Sequence, residues 1–266
     1  MSAVTPPRVL VIAGSDSGGG AGVQADIKTC LALGVHASTA ITALTAQNSI
    51  GVQGVWPTSV DGVRAQIRSV LDDIGADVVK TGMLADAEIA GAVADELDQI
   101  GLPVVVDPVC VSTTGATLLT PGALDVYRFR LIPRATVVTP NIPEVRALTD
   151  VDVSDVGQLR EAAAALFALG PQWVLVKGGH LDGVATDLLY DGVDEIVLPG
   201  ERIDTPHTHG TGCTLASAIA ARLAHGDDMP AAVAAAKVFV TGAIRRGYPL
   251  GSGVGPAAQW LPPSDE

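Results

Sequence analysis

Short runs of apolar, mostly β-branched residues alternate along the chain with longer alanine-rich segments in which apolar residues recur every three or four positions. The short runs are typical of buried strands and the longer segments of helices, so their alternation predicts an α/β fold with a mostly parallel sheet covered by helices. The predicted strands are residues 9–13, 38–43, 52–56, 78–80, 104–107, 136–139, 174–177, 188–190 and 196–198. The predicted helices are residues 21–33, 60–74, 87–100, 122–130, 156–169, 212–224 and 231–246.

Gly or Pro marks most junctions between these elements, and neither an internal repeat nor a linker rich in Ser or charge separates them. We therefore predict a single domain over residues 1–266, with a C-terminal tail from about residue 250. Residues 35–56 contain two predicted strands with no helix between them. This segment is predicted to form a small β flap.

The composition narrows the class of protein. Hydrophobic residues make up 48% of the 266 residues and charged residues 17%, which provides a core and excludes a disordered chain. The net charge of −13 argues against a nucleic-acid partner, because binding to the phosphate backbone depends on Lys and Arg. Aromatic residues are only 3%, so the core must consist mainly of Ala, Val, Leu and Ile.

The cysteines and the apolar segments indicate a compartment. Cys30, Cys110 and Cys213 lie far apart and form no CxxC pair, which argues against a disulfide framework or structural zinc. Residues 1–8 contain no apolar stretch long enough for a signal peptide. The apolar stretch 231–243 contains Lys237, predicted to be surface-exposed, and is shorter than the roughly 20 residues that span a bilayer. We predict a cytoplasmic protein with no membrane partner.

Glycine and polar residues follow most of the predicted strands, where open α/β sheets bind their ligands. The segments are GSDSGGGAG (14–22), KTGM (80–83), DPV (107–109), TPN (139–141) and KGGH (177–180), while HGTGC (209–213) opens a helix. Neither the GxGxxG nor the GxxxxGK[ST] motif occurs, which argues against a dinucleotide-binding dehydrogenase and a P-loop enzyme. The convergence of these segments predicts a ligand site, although each alone could be an ordinary turn.

The segment Gly210, Thr211, Gly212 and Cys213 precedes apolar residues with helical spacing, and so lies at a helix N-terminus. Unpaired N–H groups and the helix dipole favour an anion there, and the glycines leave room for a phosphoryl group. The same field would favour the thiolate of Cys213, which suits a proton acceptor. The alternative is an ordinary glycine-rich helix start with a small buried cysteine.

Four polar residues at later strand ends are candidates for a nucleotide and its cation. Asn141 and Glu144 have the spacing of a helix N-cap and its third residue, so a plain capping box competes with ordering of water around Mg²⁺. Asp107 could face the same cation or simply form a turn before proline. Lys177 could hold a nucleotide phosphate or lie on the surface.

Seven segments together carry a specific resemblance. They are AGSDSGGGAGVQADIKT (13–29), ITALTAQNSIGVQGV (41–55), KTGML (80–84), DPV (107–109), TPNIPE (139–144), VKGGH (176–180) and HGTGCTLASAIAARLAHG (209–226). With them the chain resembles the hydroxymethylpyrimidine/phosphomethylpyrimidine kinase family of thiamine biosynthesis, within the ribokinase-like superfamily. The match runs from about residue 8 to about residue 251.

The resemblance implies a three-layer α/β/α fold, a homodimer with the flap as its contact, and a kinase that uses ATP and Mg²⁺. The alternative for the apolar flap strands is that they belong to the core of a single chain. Its substrate would be 4-amino-5-hydroxymethyl-2-methylpyrimidine and then the monophosphate, which becomes the diphosphate. Asp26 and Gln47 would contact the pyrimidine, and an amide does offer the donor and acceptor that an aminopyrimidine edge requires. The other implied pocket residues are Gly14, Ala21, Met83 and Val109.

The resemblance also implies roles around the phosphates. Residues 210–213 would form an anion hole, with Cys213 in the position where sugar kinases usually place an aspartate base. Lys177, Asn141 and Asp107 would bind ATP, and Glu144 with Asp107 would hold Mg²⁺ through water.

The sequence departs from the family after residue 109 and leaves two other functions open. Cys110 and TGA (114–116) replace a common Met and a Ser-Gly-Asp turn, which weakens a phosphate or lid role there, and Cys110 is predicted to be packed. One alternative function is a pyridoxal or pyridoxine kinase, against which the TAQN segment (45–48) and Met83 favour the pyrimidine. The other is a non-catalytic ligand-binding protein, which the presence of Asp107, Glu144, Lys177 and Cys213 disfavours.

Overall fold

Every strand described belongs to one sheet. The computed structural model describes residues 5–109, 121–179, 181 and 183–260, so Cys110 and residues 114–116 lie outside the described residues. The strands are β1 (Arg8–Asp16), β2 (His36–Asn48), β3 (Gly51–Pro57), β4 (Val78–Thr81), β5 (Val104–Val106), β6 (Val137–Val138), β7 (Trp173–Lys177), β8 (Asp187–Tyr190) and β9 (Glu195–Leu198). All nine strands predicted from the sequence are confirmed, with shifted ends.

The strand order is β3-β2-β1-β4-β5-β6-β7-β8-β9. Strands β2 to β7 of this order pair in parallel, whereas β3, β8 and β9 pair antiparallel at the two edges. The carboxyl ends of the parallel strands therefore all lie at the same end of the sheet, as the sequence predicts.

Helices cover both faces of this sheet. They are α1 (Gly22–Ala32), α2 (Val60–Ser69), α3 (Ala87–Asp98), α4 (Pro121–Val126), α5 (Ile132–Arg134), α6 (Ile142–Thr149), α7 (Leu159–Phe167), α8 (Thr211–Ala224) and α9 (Met229–Arg245). Successive residues of a strand point to opposite faces, and so Val9 and Val11 pack with α1, α8 and α9 whereas Leu10 and Ile12 pack with α2, α3 and α7. The predicted three-layer fold is confirmed.

Several helical segments differ from the sequence prediction. Helix α5 was not predicted, and the predicted helix 122–130 is α-helical only as α4 and continues as a π-helical turn, Tyr127–Leu131. Helix α6 was not predicted as a helix, because Pro140 and Pro143 surround its start and it has only 8 residues. The predicted helix 60–74 is α-helical only to Ser69 and continues as a π-helical turn, Val70–Ile74, that ends at Gly75 with φ +73°.

The predicted flap is an extension of the sheet edge. The first part of β2 pairs in parallel with β1, and from Ala43 onward β2 pairs antiparallel with β3. The C-terminal segment folds back onto this hairpin, because the Val254 amide donates to the Ser49 carbonyl oxygen over 2.9 Å. Gly253 also donates to Ser49, while the Ala257 and Ala258 amides donate to the carbonyl oxygens of His209 and Ala243, so this segment is fixed to the rest of the protein and does not form a free tail. Within the described ranges, no helix has both the length and the apolar character needed to cross a membrane.

Candidate active site

A cavity of about 510 Å³ opens where β1, β4, β5, β6 and β7 end and where α8 begins. Its lining brings together all but one of the site residues predicted from the sequence. These are Gly14, Ala21, Gln47, Met83, Asp107, Val109, Asn141, Glu144, Lys177, Gly210, Thr211, Gly212 and Cys213. The exception is Asp26.

The start of α8 forms one corner of the cavity. Gly210 caps the helix with φ +82°, and a Cβ at this position would overlap the carbonyl oxygen of Gly20, so only glycine fits. A Cβ on Gly212 would lie 3.5 Å from Lys177 Nζ and 3.8 Å from Asp107 Oδ2. The N-terminal turn of α8 therefore shares one corner with a cation and a carboxylate, as an anion-binding site at a helix start would.

Lys177 is a fixed, largely buried cation in this corner. Its Nζ lies 3.1 Å from Asp107 Oδ1 and 3.9 Å from Glu144 Oε2, and its side chain is 14% exposed. Burial opposes the positive charge, but Asp107 and Glu144 outweigh burial and raise the pKa of Lys177. The alternative of a surface lysine is wrong.

Asn141 and Glu144 form the capping box that was the structural alternative for them. The backbone N–H of Asn141 donates to Glu144 Oε2 over 2.8 Å, and the backbone N–H of Glu144 donates to Asn141 Oδ1 over 2.9 Å. Both residues also line the cavity beside Lys177. Capping therefore fixes the Glu144 side chain beside Lys177 instead of removing it from the site.

Asp107 and Glu144 suit a metal ion that is bound mainly through water. Among the described residues there is no group of three or more His, Cys, Asp or Glu side chains placed to hold a metal ion. Mg²⁺ commonly keeps several waters and binds through one or two carboxylates together with substrate phosphates. Asp107 and Glu144, adjacent in the cavity wall, fit that mode.

The prediction that Cys213 favours its thiolate is wrong for the free protein. Burial raises the pKa of its thiol to about 12, with Asp26 and Asp107 adding to the effect and Lys80 opposing it. The cysteine lines the cavity as a protonated thiol at neutral pH.

Asp26 lies behind the cavity wall and does not line it, so the prediction that it contacts the substrate is not supported. Its carboxylate accepts from Lys80 Nζ over 2.9 and 3.0 Å and from Ser217 Oγ over 2.6 Å. Asp26 and Lys80 are both fully buried, because α1 turns Asp26 toward β4 and α8. Burial opposes the charge on Lys80, but Asp26 outweighs it and raises the pKa of Lys80.

Asp16 and His209 are cavity residues that sequence reasoning gave no individual role. The Asp16 carboxylate accepts from the amides of Gly18 and Ala21, each over 2.8 Å, and lies 3.0 Å from His209 Nε2. Burial opposes this charge, but the hydrogen bonds prevail and lower the pKa of Asp16 to about 2. An aspartate at the end of a strand before glycines is a local signal for such a turn.

The far end of the cavity combines apolar side chains with a second lysine. Lys237 Nζ lies 2.5 Å from Asp187 Oδ2 and 3.2 Å from the Ala185 carbonyl oxygen. Its side chain is 14% exposed and lines the cavity with Val240 and Ile244, so the prediction of a surface lysine is wrong. The cavity thus has one charged corner and one end where apolar side chains surround an ion pair, as a ligand with phosphates and a flat ring would need.

An open α/β sheet with a glycine-lined helix start, a lysine and carboxylates at one corner of a cavity defines a phosphotransferase of the kinase type. Residues 16–258 match the family model for phosphomethylpyrimidine kinase. The chain belongs to the phosphomethylpyrimidine kinase family.

The individual relatives are phosphomethylpyrimidine kinases and a pyridoxal kinase. The chain is 60% identical to the hydroxymethylpyrimidine/phosphomethylpyrimidine kinase of Streptomyces coelicolor, over 95% of this chain and 94% of the relative. The solved phosphomethylpyrimidine kinase of Clostridium difficile is 40% identical, with a TM-score of 0.81 over 90% of this chain and 99% of the other. An ADP complex of Bacillus subtilis pyridoxal kinase is 42% identical, with a TM-score of 0.88 over 95% and 97% of the two chains.

Proposed function

We propose that this protein is a hydroxymethylpyrimidine/phosphomethylpyrimidine kinase, which transfers a phosphoryl group from ATP to the hydroxymethyl group of the pyrimidine and then to the monophosphate. The observation that carries the proposal is the corner where Gly212, Lys177 and Asp107 meet, inside a cavity that also contains Gln47. Phosphate and ring recognition can thus take place in one enclosed site. The family membership of the chain supports the same activity.

The mechanism follows from the positions of the side chains. The N-terminus of α8 and Lys177 hold the transferring phosphoryl group and stabilise its negative charge, while Gln47 and Met83 orient the pyrimidine. The oxygen of the substrate hydroxyl bonds to the γ-phosphorus of ATP on the side of Cys213 while the bond from that phosphorus to ADP breaks, and the hydroxyl proton passes to Cys213 in its thiolate form. Asp107 and Glu144 are the groups that would hold Mg²⁺ through water, and the ion would supply further charge neutralisation on the phosphates.

Product analysis by mass spectrometry tests the proposal. Purified protein is incubated with Mg-ATP and hydroxymethylpyrimidine, and in parallel with pyridoxal. The monophosphate followed by the diphosphate of the pyrimidine is the expected result. The proposal is contradicted if no phosphorylated pyrimidine forms, whether or not ATP is consumed.

A vitamin B6 kinase is the second candidate, and the similarity to the Bacillus subtilis pyridoxal kinase favours it specifically. If only pyridoxal is phosphorylated, the substrate belongs to the vitamin B6 class. Lys177 and the start of α8 would keep their role in binding the transferring phosphoryl group. A non-catalytic ligand-binding protein is the third candidate. It predicts that adding the pyrimidine leaves ATP unconsumed.

Cys213→Ala is expected to lower turnover by about 10²-fold, at the low end of the range for general acid–base catalysis. The effect is at this end because Cys213 can accept the hydroxyl proton only as a thiolate, whereas its thiol is protonated in the free protein, and because phosphoryl transfer depends chiefly on positioning and charge. Steady-state kinetics measures the loss, and ADP titration should show nucleotide binding unchanged. Unchanged turnover would remove Cys213 from proton transfer.

We also propose that the flap forms the contact of a homodimer. Leu44, Ile50 and Trp56 are 54, 67 and 60% exposed on neighbouring parts of the β2–β3 hairpin. Trp56→Glu is expected to convert a dimer to a monomer in native mass spectrometry, because it places a charge in an apolar contact. Phe129→Glu is the matched control, since Phe129 is 65% exposed outside the hairpin. A wild-type monomer at micromolar concentration contradicts the dimer.

The cytoplasmic location stays a prediction.

A further inference from the structure

Gln259 lies behind the wall of the active-site cavity. Its side chain is fully buried, and its Nε2 donates to the carbonyl oxygen of Gly20 over 2.8 Å. Gly20 belongs to the glycine-rich loop, residues 17–21, and its neighbour Ala21 lines the cavity, whereas Gln259 does not. A side chain near the C-terminus therefore holds this loop from outside the cavity.

The carbonyl group that Gln259 binds also touches the start of α8. A Cβ on Gly210, the N-cap of α8, would overlap this oxygen and would lie 3.1 Å from Gln259 Nε2. The glycine-rich loop, the helix start and the Gln259 amide thus meet at one point. On the cavity side, the loop borders the pyrimidine pocket through Ala21, and the first turn of α8 borders the place of the phosphoryl group.

The segment that carries Gln259 is fixed by main-chain hydrogen bonds to the entry of α8. The His209 N–H donates to the Gly255 carbonyl oxygen, and the Ala257 N–H donates to the His209 carbonyl oxygen, each over 3.1 Å. His209 directly precedes Gly210 in the chain. Gln259 is therefore anchored to the helix start and reaches across to the loop, so that its amide joins the two elements.

We propose that Gln259 is a positioning residue for phosphoryl transfer, which fixes the spacing between the loop that borders the pyrimidine and the helix start that holds the phosphoryl group. The transfer forms a bond from the substrate hydroxyl oxygen to the γ-phosphorus while the bond from that phosphorus to ADP breaks. Its rate depends steeply on the spacing of the two reactants, whereas the binding of each reactant alone does not. The inference rests on the proposed function, because both reactants must occupy this cavity.

Gln259→Met tests the inference, because methionine keeps the length of the side chain and its apolar packing but has no N–H donor. The variant is expected to lower kcat for hydroxymethylpyrimidine about 10- to 100-fold, with KM for the pyrimidine and for ATP within about threefold of wild type. A misplaced hydroxyl also lets water attack the γ-phosphorus, which gives ADP and inorganic phosphate. The free phosphate released per ADP in the presence of the pyrimidine should therefore rise.

Gln66→Met is the matched control. Gln66 Nε2 likewise donates to carbonyl oxygens, those of Ile41 and Gly62 over 3.3 and 3.0 Å, but it joins α2 to β2 away from the cavity. This variant should lower the midpoint of thermal unfolding without changing the free phosphate released per ADP. Unchanged kcat in Gln259→Met, or a lower kcat without additional free phosphate, would overturn the inference in favour of a merely structural role.

A measurement on the wild-type protein covers the case in which Gln259→Met does not fold. In a crystal structure with hydroxymethylpyrimidine and a non-hydrolysable ATP analogue, Gln259 Nε2 is expected to stay within hydrogen-bond distance of the Gly20 carbonyl oxygen. A complex in which this bond is broken would overturn the inference. A wild-type protein that does not phosphorylate the pyrimidine overturns the proposed function instead, before any variant is made.

Discussion

Gly212→Ala is expected to lower turnover about 10²–10³-fold while the protein stays folded. The added methyl group would lie 3.5 Å from Lys177 Nζ, an ordinary contact that the free protein tolerates. It would nevertheless fill the space between the first turn of α8 and Lys177, where the transferring phosphoryl group must be held. Transition-state stabilisation is lost because the phosphoryl group can no longer reach the N–H donors.

Stopped-flow or steady-state kinetics with a thermal unfolding curve separates this effect from instability. Gly91→Ala in α3 is the matched control, because a Cβ there meets open space and should change neither quantity by much. Gly210→Ala should instead unfold or distort the loop, since its positive φ and the Gly20 carbonyl exclude a side chain. Turnover within tenfold of wild type in Gly212→Ala would place the phosphoryl group elsewhere.

Local patterns predict the frame of this site well. Each buried strand is a short β-branched run followed by glycine or a polar residue, and such runs need only their own period to be recognised. The parallel sheet then brings their carboxyl ends together, which is why Asp107, Lys177 and the start of α8 meet as predicted. Helix α6 is missed by the same reasoning because Pro140 and Pro143, at its start, are typical of a loop.

Features that depend on partners distant in the sequence are the ones missed. Asp26 and Lys80 are 54 residues apart, and nothing local shows that α1 and β4 bury them against each other. The pKa of Cys213 follows from burial and from three charged groups on other elements, so its position at a helix start predicts the wrong direction. Asp16 and His209, 193 residues apart, meet only when α8 closes on the glycine-rich loop.

Lys80→Met is expected to lower the free energy of unfolding by about 3–5 kcal/mol. Removing the lysine leaves the Asp26 carboxylate fully buried with Ser217 as its remaining donor. A buried charge without a counter-charge costs far more than the pair itself contributes. Urea unfolding followed by circular dichroism measures the change.

The double variant Lys80→Met/Asp26→Leu tests the physical cause. Because it removes both charges and leaves apolar groups of similar volume, it should be more stable than Lys80→Met alone, with only the Ser217 hydroxyl left to find another acceptor. Arg245→Met is the matched surface control, since it breaks an exposed pair with Glu201 and should cost less than about 1 kcal/mol. A double variant no more stable than Lys80→Met would mean that packing around the lysine stem, rather than the unpaired carboxylate, determines the loss.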